Sequence, residues 1–87
     1  MEEQAKMLAE LLKVLANENR LLILCALMEK PQTVGRLLEK TPYIGQSAMS
    51  QHLALMKAHG ILKSQKSGQS ITYSIADHRI EAVIGIL

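Results

Sequence analysis

Apolar residues recur at helical spacing along most of this chain, and the places where the pattern changes mark its organisation. In residues 2–16, Leu8, Leu11, Leu12 and Leu15 fall on one side and Glu and Lys on the other, which predicts an amphipathic helix. Asn17 fits an N-cap, with Glu18 in the first turn of a second helix, where the dipole favours an acid. That helix carries the run Leu21 to Met28, LLILCALM, apolar on every side, so it is expected to be buried at the centre of the domain and to end at Pro31. Thr33 can cap a short third helix, roughly Val34 to Lys40, with Val34, Leu37 and Leu38 turned inward. Thr41-Pro42-Tyr43-Ile44-Gly45 reads as a turn, since Pro42 forces its predecessor out of the helical region. A fourth helix runs from Gly45 to Gly60, and Gly60 stands where a helix stops.

After Gly60 the period changes. Ile71, Tyr73 and Ile75 alternate with Thr72 and Ser74, as in a half-buried strand. With Ile61 to Lys66 and the turn Ser67-Gly68-Gln69 this predicts a hairpin. A last helix, capped by Asp77, carries Ile80, Val83, Ile84 and Leu87 at i, i+3, i+4 and i+7. The fold class is therefore mainly α with a small β-hairpin, in the order four helices, hairpin, helix. Eighty-seven residues make one domain, 1–87. With no Phe or Trp and two Tyr, the core must be aliphatic. A core this small is marginal alone, and amphipathic helices at both ends suggest a homodimer whose interface is built from Leu8, Leu11, Leu12, Leu15, Ile80, Val83, Ile84 and Leu87.

Charge separates one region from the rest. Residues 1–39 hold six acids and five bases, residues 77–87 two acids and one base, and residues 40–76 four lysines and no acid at all. The fourth helix lies inside that acid-free segment. Ser47, Ser50, Gln51 and Ala54 share one of its faces, opposite Ala48, Met49, Leu53, Leu55 and Met56. Short hydroxyls and amides without carboxylates suit a helix that enters the DNA major groove. A small-residue face packed on a partner helix is the alternative. A short helix, a turn containing glycine and a polar second helix suggest helix-turn-helix. The hairpin behind it is then a wing, with Lys63 and Lys66 placed to meet phosphates.

In this order of elements the chain resembles the ArsR/SmtB family of winged helix-turn-helix repressors. The carriers are LLKVLANENRLLIL (Leu11 to Leu24), GQSAMSQHLALMKAHGIL (Gly45 to Leu62) and ITYSI (Ile71 to Ile75). The resemblance implies a homodimeric transcriptional repressor that binds an inverted-repeat operator in double-stranded DNA and is released by an inducer; the single Cys and the absence of a membrane-length apolar run or a signal peptide separately suggest the cytoplasm. It places Gln46, Ser47, Ser50, Gln51 and Lys57 on the recognition helix. Thr33, Lys63, Lys66 and Gln69 become contacts from the start of the third helix and the wing. The turn from Thr41 to Gly45 looks about a residue longer than is usual in the family, and Gly45 stands where a capping Ser is common.

Many members of that family bind a metal, but the residues here argue against a site, and no cofactor is expected. The third helix reads QTVGRLLEK, without Cys. Asp77, His78 and Glu81 lie at the start of the last helix, but Val83 to Leu87 offers no further ligand. His52 and His59 are too far apart along one helix to share an ion and are expected to be packed and hydrogen-bonded. A metal site assembled between two subunits is the remaining route.

Cys25 is the one cysteine. ILC, Ile23 to Cys25, is similar to the first cysteine of the family's persulfide- and redox-sensing branch, whose second would come about a turn beyond Leu87. Cys25 is thus a candidate sensor thiol, against the reading of a small buried hydrophobe, which the lack of a nearby base favours. No apolar run reaches the length of a membrane span. One Cys and three His supply no nucleophile, base and orienter, so no enzyme is expected. A winged-helix module that binds protein and not DNA is the alternative function, which the acid-free segment argues against.

Overall fold

The computed structural model describes residues 1–85. The elements are α1 (Glu2–Leu15), α2 (Glu18–Glu29), β1 (Gln32–Thr33), α3 (Val34–Lys40), α4 (Gln46–Ala58), β2 (Leu62–Ser67), β3 (Ser70–Ile75) and α5 (Arg79–Ile84). The expected hairpin is thus part of a three-stranded antiparallel sheet in the order β1-β3-β2. The extra strand is only two residues long, pairing Gln32 with Tyr73 and Thr33 with Thr72. It ties the end of α2 and the start of α3 to the hairpin, so the helix-turn-helix and the wing share one support.

Local chemistry explains the element ends. The Asn17 side chain accepts from the Arg20 N–H at 3.1 Å, and the Thr33 hydroxyl accepts from the Arg36 N–H at 3.2 Å, each meeting one orphan donor of its helix. The end of α4 is a Schellman motif. Gly60, at φ 73°, lets its own N–H reach the Lys57 carbonyl and the Ile61 N–H reach the Met56 carbonyl. Ile61 and Met56 are both buried, so the motif also closes the core beneath it. Gly68, at φ 61°, opens the two-residue turn between β2 and β3, the place where a type II′ hairpin turn needs glycine.

The last helix begins one residue later than expected. His78 is its cap position and makes no side-chain cap bond. Asp77 instead sits just outside, where its carboxylate accepts from the Arg79 N–H at 2.9 Å and is gripped by the Arg79 guanidinium. Leu87 lies outside the described residues.

The core is aliphatic throughout. Ile23 and Leu24 of α2, Leu37 of α3, Met49, Leu53 and Met56 of α4, Ile61, and Ile80 of α5 are almost completely enclosed. The turn between α3 and α4 is anchored, because Ile44 is buried and the Thr41 hydroxyl donates to the Leu37 carbonyl at 2.7 Å. That anchor sets the angle at which α4 leaves α3.

α2 is not buried on every side. Ile23, Leu24 and Leu27 are enclosed, but Cys25 and Met28 are exposed. The expectation that Cys25 is a buried hydrophobe is overturned. A run that is apolar all round has no phase to tell which side faces out.

Candidate nucleic-acid interface

α4 presents the two faces its sequence divides, except that Leu55, expected on the apolar side, is exposed beyond the reach of the core, and Ala48 is half-buried. Met49, Leu53 and Met56 are buried against the other helices, and Gln46, Ser47, Ser50, Gln51 and Ala54 are exposed. Gly45 caps the helix through its backbone alone, its carbonyl accepting from the Met49 N–H at 2.8 Å. Lys57 is exposed in the last turn. Nothing on this face is ion-paired among the described residues, so its amides and hydroxyls are open to an external partner.

The wing carries Lys63, Lys66 and Gln69, all exposed. Lys63 lies opposite Ser74 and Lys66 opposite Ile71. Three residues apart on one strand, the two lysines leave the ribbon on opposite faces. They point to different sides of the wing, a distinction that a count of basic residues does not make. Gln69 stands in the turn itself. Thr33 is half-buried and its hydroxyl already caps α3, so its free surface is limited.

The two histidines of α4 differ. His52 is half-buried, and burial, with the Arg20 charge as a second cause, lowers its pKa from the ordinary 6.5. His59 is exposed, not packed as expected, with Nδ1 at 2.9 Å from the Leu55 carbonyl. It belongs to the helix end, where the apolar arc has run out of core to face. Among the described residues no group of three metal-ligating side chains comes together.

The residues expected at a dimer interface fall into two sets. Leu11, Leu15, Ile80 and Ile84 are buried in the chain's own core, and Val83 is half-buried against it. Leu8 and Leu12 remain 44% and 45% exposed, joined on α1 by Met7 at 59%. Among these residues the free apolar surface is therefore the Leu8 and Leu12 edge of α1, whereas Met7 lies on the side of Leu11 and Val14 and lines a cleft with them.

Two further clefts were not legible in the sequence. Cys25 lines one of about 390 Å³ with Leu22, Glu29, Lys40 and Tyr43. Lys30, Arg36 and Lys40 line another of about 420 Å³ with Thr33 and Thr72. Lys40 stands between them, bonded to Glu29 at 2.8 Å. Lys30 and Arg36 lie among the acids of residues 1–39, where a segment charge near neutrality hides their convergence. Their i-to-helix-start spacing around Thr33 is the one signal that could have pointed to it.

Comparison with known proteins bears on the same residues. The profile of bacterial regulatory proteins of the arsR family matches residues 17–64, from the cap of α2 into β2. The whole chain aligns with the transcriptional activator HlyU of Vibrio cholerae at 37% identity, covering 80% of that protein. It aligns equally fully with the HTH-type transcriptional regulator YgaV of Escherichia coli at 39% identity, covering 88% of that protein. Its backbone is similar to the transcriptional repressor BigR from Xylella fastidiosa, with a TM-score of 0.93 at 31% identity, over 100% of this chain and 88% of the other.

Proposed function

The chain belongs to the arsR family of bacterial regulatory proteins and is a DNA-binding transcriptional regulator with a winged helix-turn-helix fold; from that premise we propose that it acts as a cytoplasmic homodimeric repressor, each protomer a single domain laying α4 in a major groove. Gln46, Ser47, Ser50 and Gln51 read base edges, and Lys57, Lys63, Lys66 and Gln69 hold phosphates. The observation that carries this reading is the exposed, acid-free outer face of α4. Carboxylates there would be repelled by the DNA backbone, and a merely solvated helix has no reason to exclude them. Binding of the operator, not catalysis, is the activity, and occupancy of a promoter is what represses.

Two copies are needed because an inverted repeat presents two half-sites about one helical turn, roughly 34 Å, apart. The exposed edge of Leu8 and Leu12 supports α1 as the joining surface. Gln51 can pair with an adenine edge, its amide oxygen accepting from N6–H and its NH2 donating to N7. Gln51→Ala should narrow the free-energy gap between operator and unrelated DNA by roughly 1–3 kcal/mol, measured by equilibrium titration. An unchanged gap would remove α4 as the reader.

The exposure of Cys25 favours a thiol-based inducer over one that ignores the cysteine. Treatment of the reduced protein with a persulfide donor should release DNA, and Cys25→Ser should abolish that release. Equal DNA binding before and after treatment would send the search to other inducers.

A further inference from the structure

Three cations have no part in the interface described so far. Lys30 comes from the end of α2, and Arg36 and Lys40 are one turn apart on α3, so all three converge on the cleft floored by Thr33 and Thr72. Those two threonines are partners across β1 and β3. A second depression adjoins the first at Thr33, lined by Val34, Gly35, Gln69 and Ser70. The two depressions share Thr33 as a wall, and the second, which holds no cation, reaches the turn of the wing.

Its chemistry suits an extended polyanion. The Gln32 amide nitrogen is committed to the Ala26 carbonyl at 2.7 Å, and the Thr33 hydroxyl accepts from the Arg36 N–H. The long side chains of Lys30, Arg36 and Lys40 surround the trough, and the Thr33 hydroxyl keeps its own O–H free to donate to a phosphate oxygen. Among the described residues, Lys40 is paired with Glu29, whereas neither Lys30 nor Arg36 has a carboxylate within ion-pair distance.

We propose that this cleft holds the sugar–phosphate backbone of DNA flanking the base pairs read by α4, so that the duplex is followed past the wing and along α3. The proposal rests on the DNA-binding reading and extends its footprint. Glu29 limits the grip by occupying Lys40, so two of the three cations are free to displace counterions. This surface adds affinity for any sequence and does not read bases.

The test uses the full chain and a mixed-sequence duplex several helical turns long, with the affinity followed across a series of potassium chloride concentrations. Each phosphate contact contributes roughly 0.9 to the slope of log affinity against log salt. K30A/R36A should lower that slope by about two units per protomer. E29Q, by releasing Lys40, should raise it by up to about one. The control K6A/K13A removes the same charge from α1 and should leave the slope unchanged. All five residues are exposed, and circular dichroism checks that each variant is folded. A K30A/R36A slope equal to wild type, or a fall matched by K6A/K13A, overturns the cleft. Q51A is run alongside. If Q51A alters specificity while K30A/R36A changes nothing, the cleft alone is wrong. If the wild-type protein shows no salt-dependent binding, the DNA reading fails and the cleft falls with it.

Discussion

α1 and α4 are built alike on the inside and unlike on the outside. Each buries three residues on one stripe, Leu11, Val14 and Leu15 in the first and Met49, Leu53 and Met56 in the second. What each leaves exposed differs. α1 offers Met7, Leu8 and Leu12 among glutamates and lysines, and α4 offers serines, glutamines and Lys57 with no acid. The first surface loses free energy by meeting water and recovers it against another apolar surface. The second is well hydrated and gains nothing from a protein core, but it can meet base edges and phosphates. The inward stripes build the fold; the outward ones specify what binds to it.

The largest effect should come from breaking what the two helices share. Leu53 is 1% exposed, at the middle of the α4 stripe. Leu53→Ala removes buried carbon and leaves a cavity, which should cost about 2–5 kcal/mol in urea unfolding. That is a large part of the roughly 5–15 kcal/mol a domain has to lose. DNA binding and self-association should then fail together.

A charge on the outer stripe of α1 should separate the two functions. Leu12→Glu places a carboxylate where a partner would cover it. An uncompensated buried charge costs about 3–5 kcal/mol, so self-association should weaken roughly a hundredfold or more in sedimentation equilibrium. The fold should survive, since Leu12 is 45% exposed within the protomer. A variant that associates like wild type would show that α1 does not join the subunits. On α4 the matching change is gentler: Lys57→Ala should weaken binding to all DNA sequences alike and reduce the salt slope by about one unit. A loss confined to one sequence would make Lys57 a reader of bases.

Much of this was legible along the chain, and the rest was hidden for identifiable reasons. Asn17 and Thr33 announce their helices because a cap acts over three residues. Gly60 does the same because left-handed backbone at a helix end favours glycine. β1 was hidden because two residues show no alternation and their partners, Thr72 and Tyr73, come some forty positions later. The outward turn of Cys25 was hidden because LLILCALM is apolar on every side. The division of the α1 leucines was hidden because periodicity tells which residues share a stripe, not how far the core reaches across it. The trough at Lys30 and Arg36 needs the sheet to assemble it.

The smallest effect tests where the inner face of α4 ends. His52 lies at that edge, and burial first and the Arg20 charge second depress its pKa below the ordinary 6.5. A depressed histidine pKa means that the folded state binds fewer protons than the unfolded chain once the pH falls through that range. Stability should therefore decline as pH drops below about 6.5, with the loss complete only below the folded-state pKa. His52→Gln keeps a polar side chain of similar reach and cannot be protonated. Its urea midpoint should fall less than that of wild type between neutral and mildly acidic buffer, the other histidines being common to both proteins. Equal falls would mean that the seam between α2 and α4 is wet enough to accept a second positive charge beside Arg20. The buried stripe of α4 would then be Met49, Leu53 and Met56 alone, with His52 in solvent at its edge.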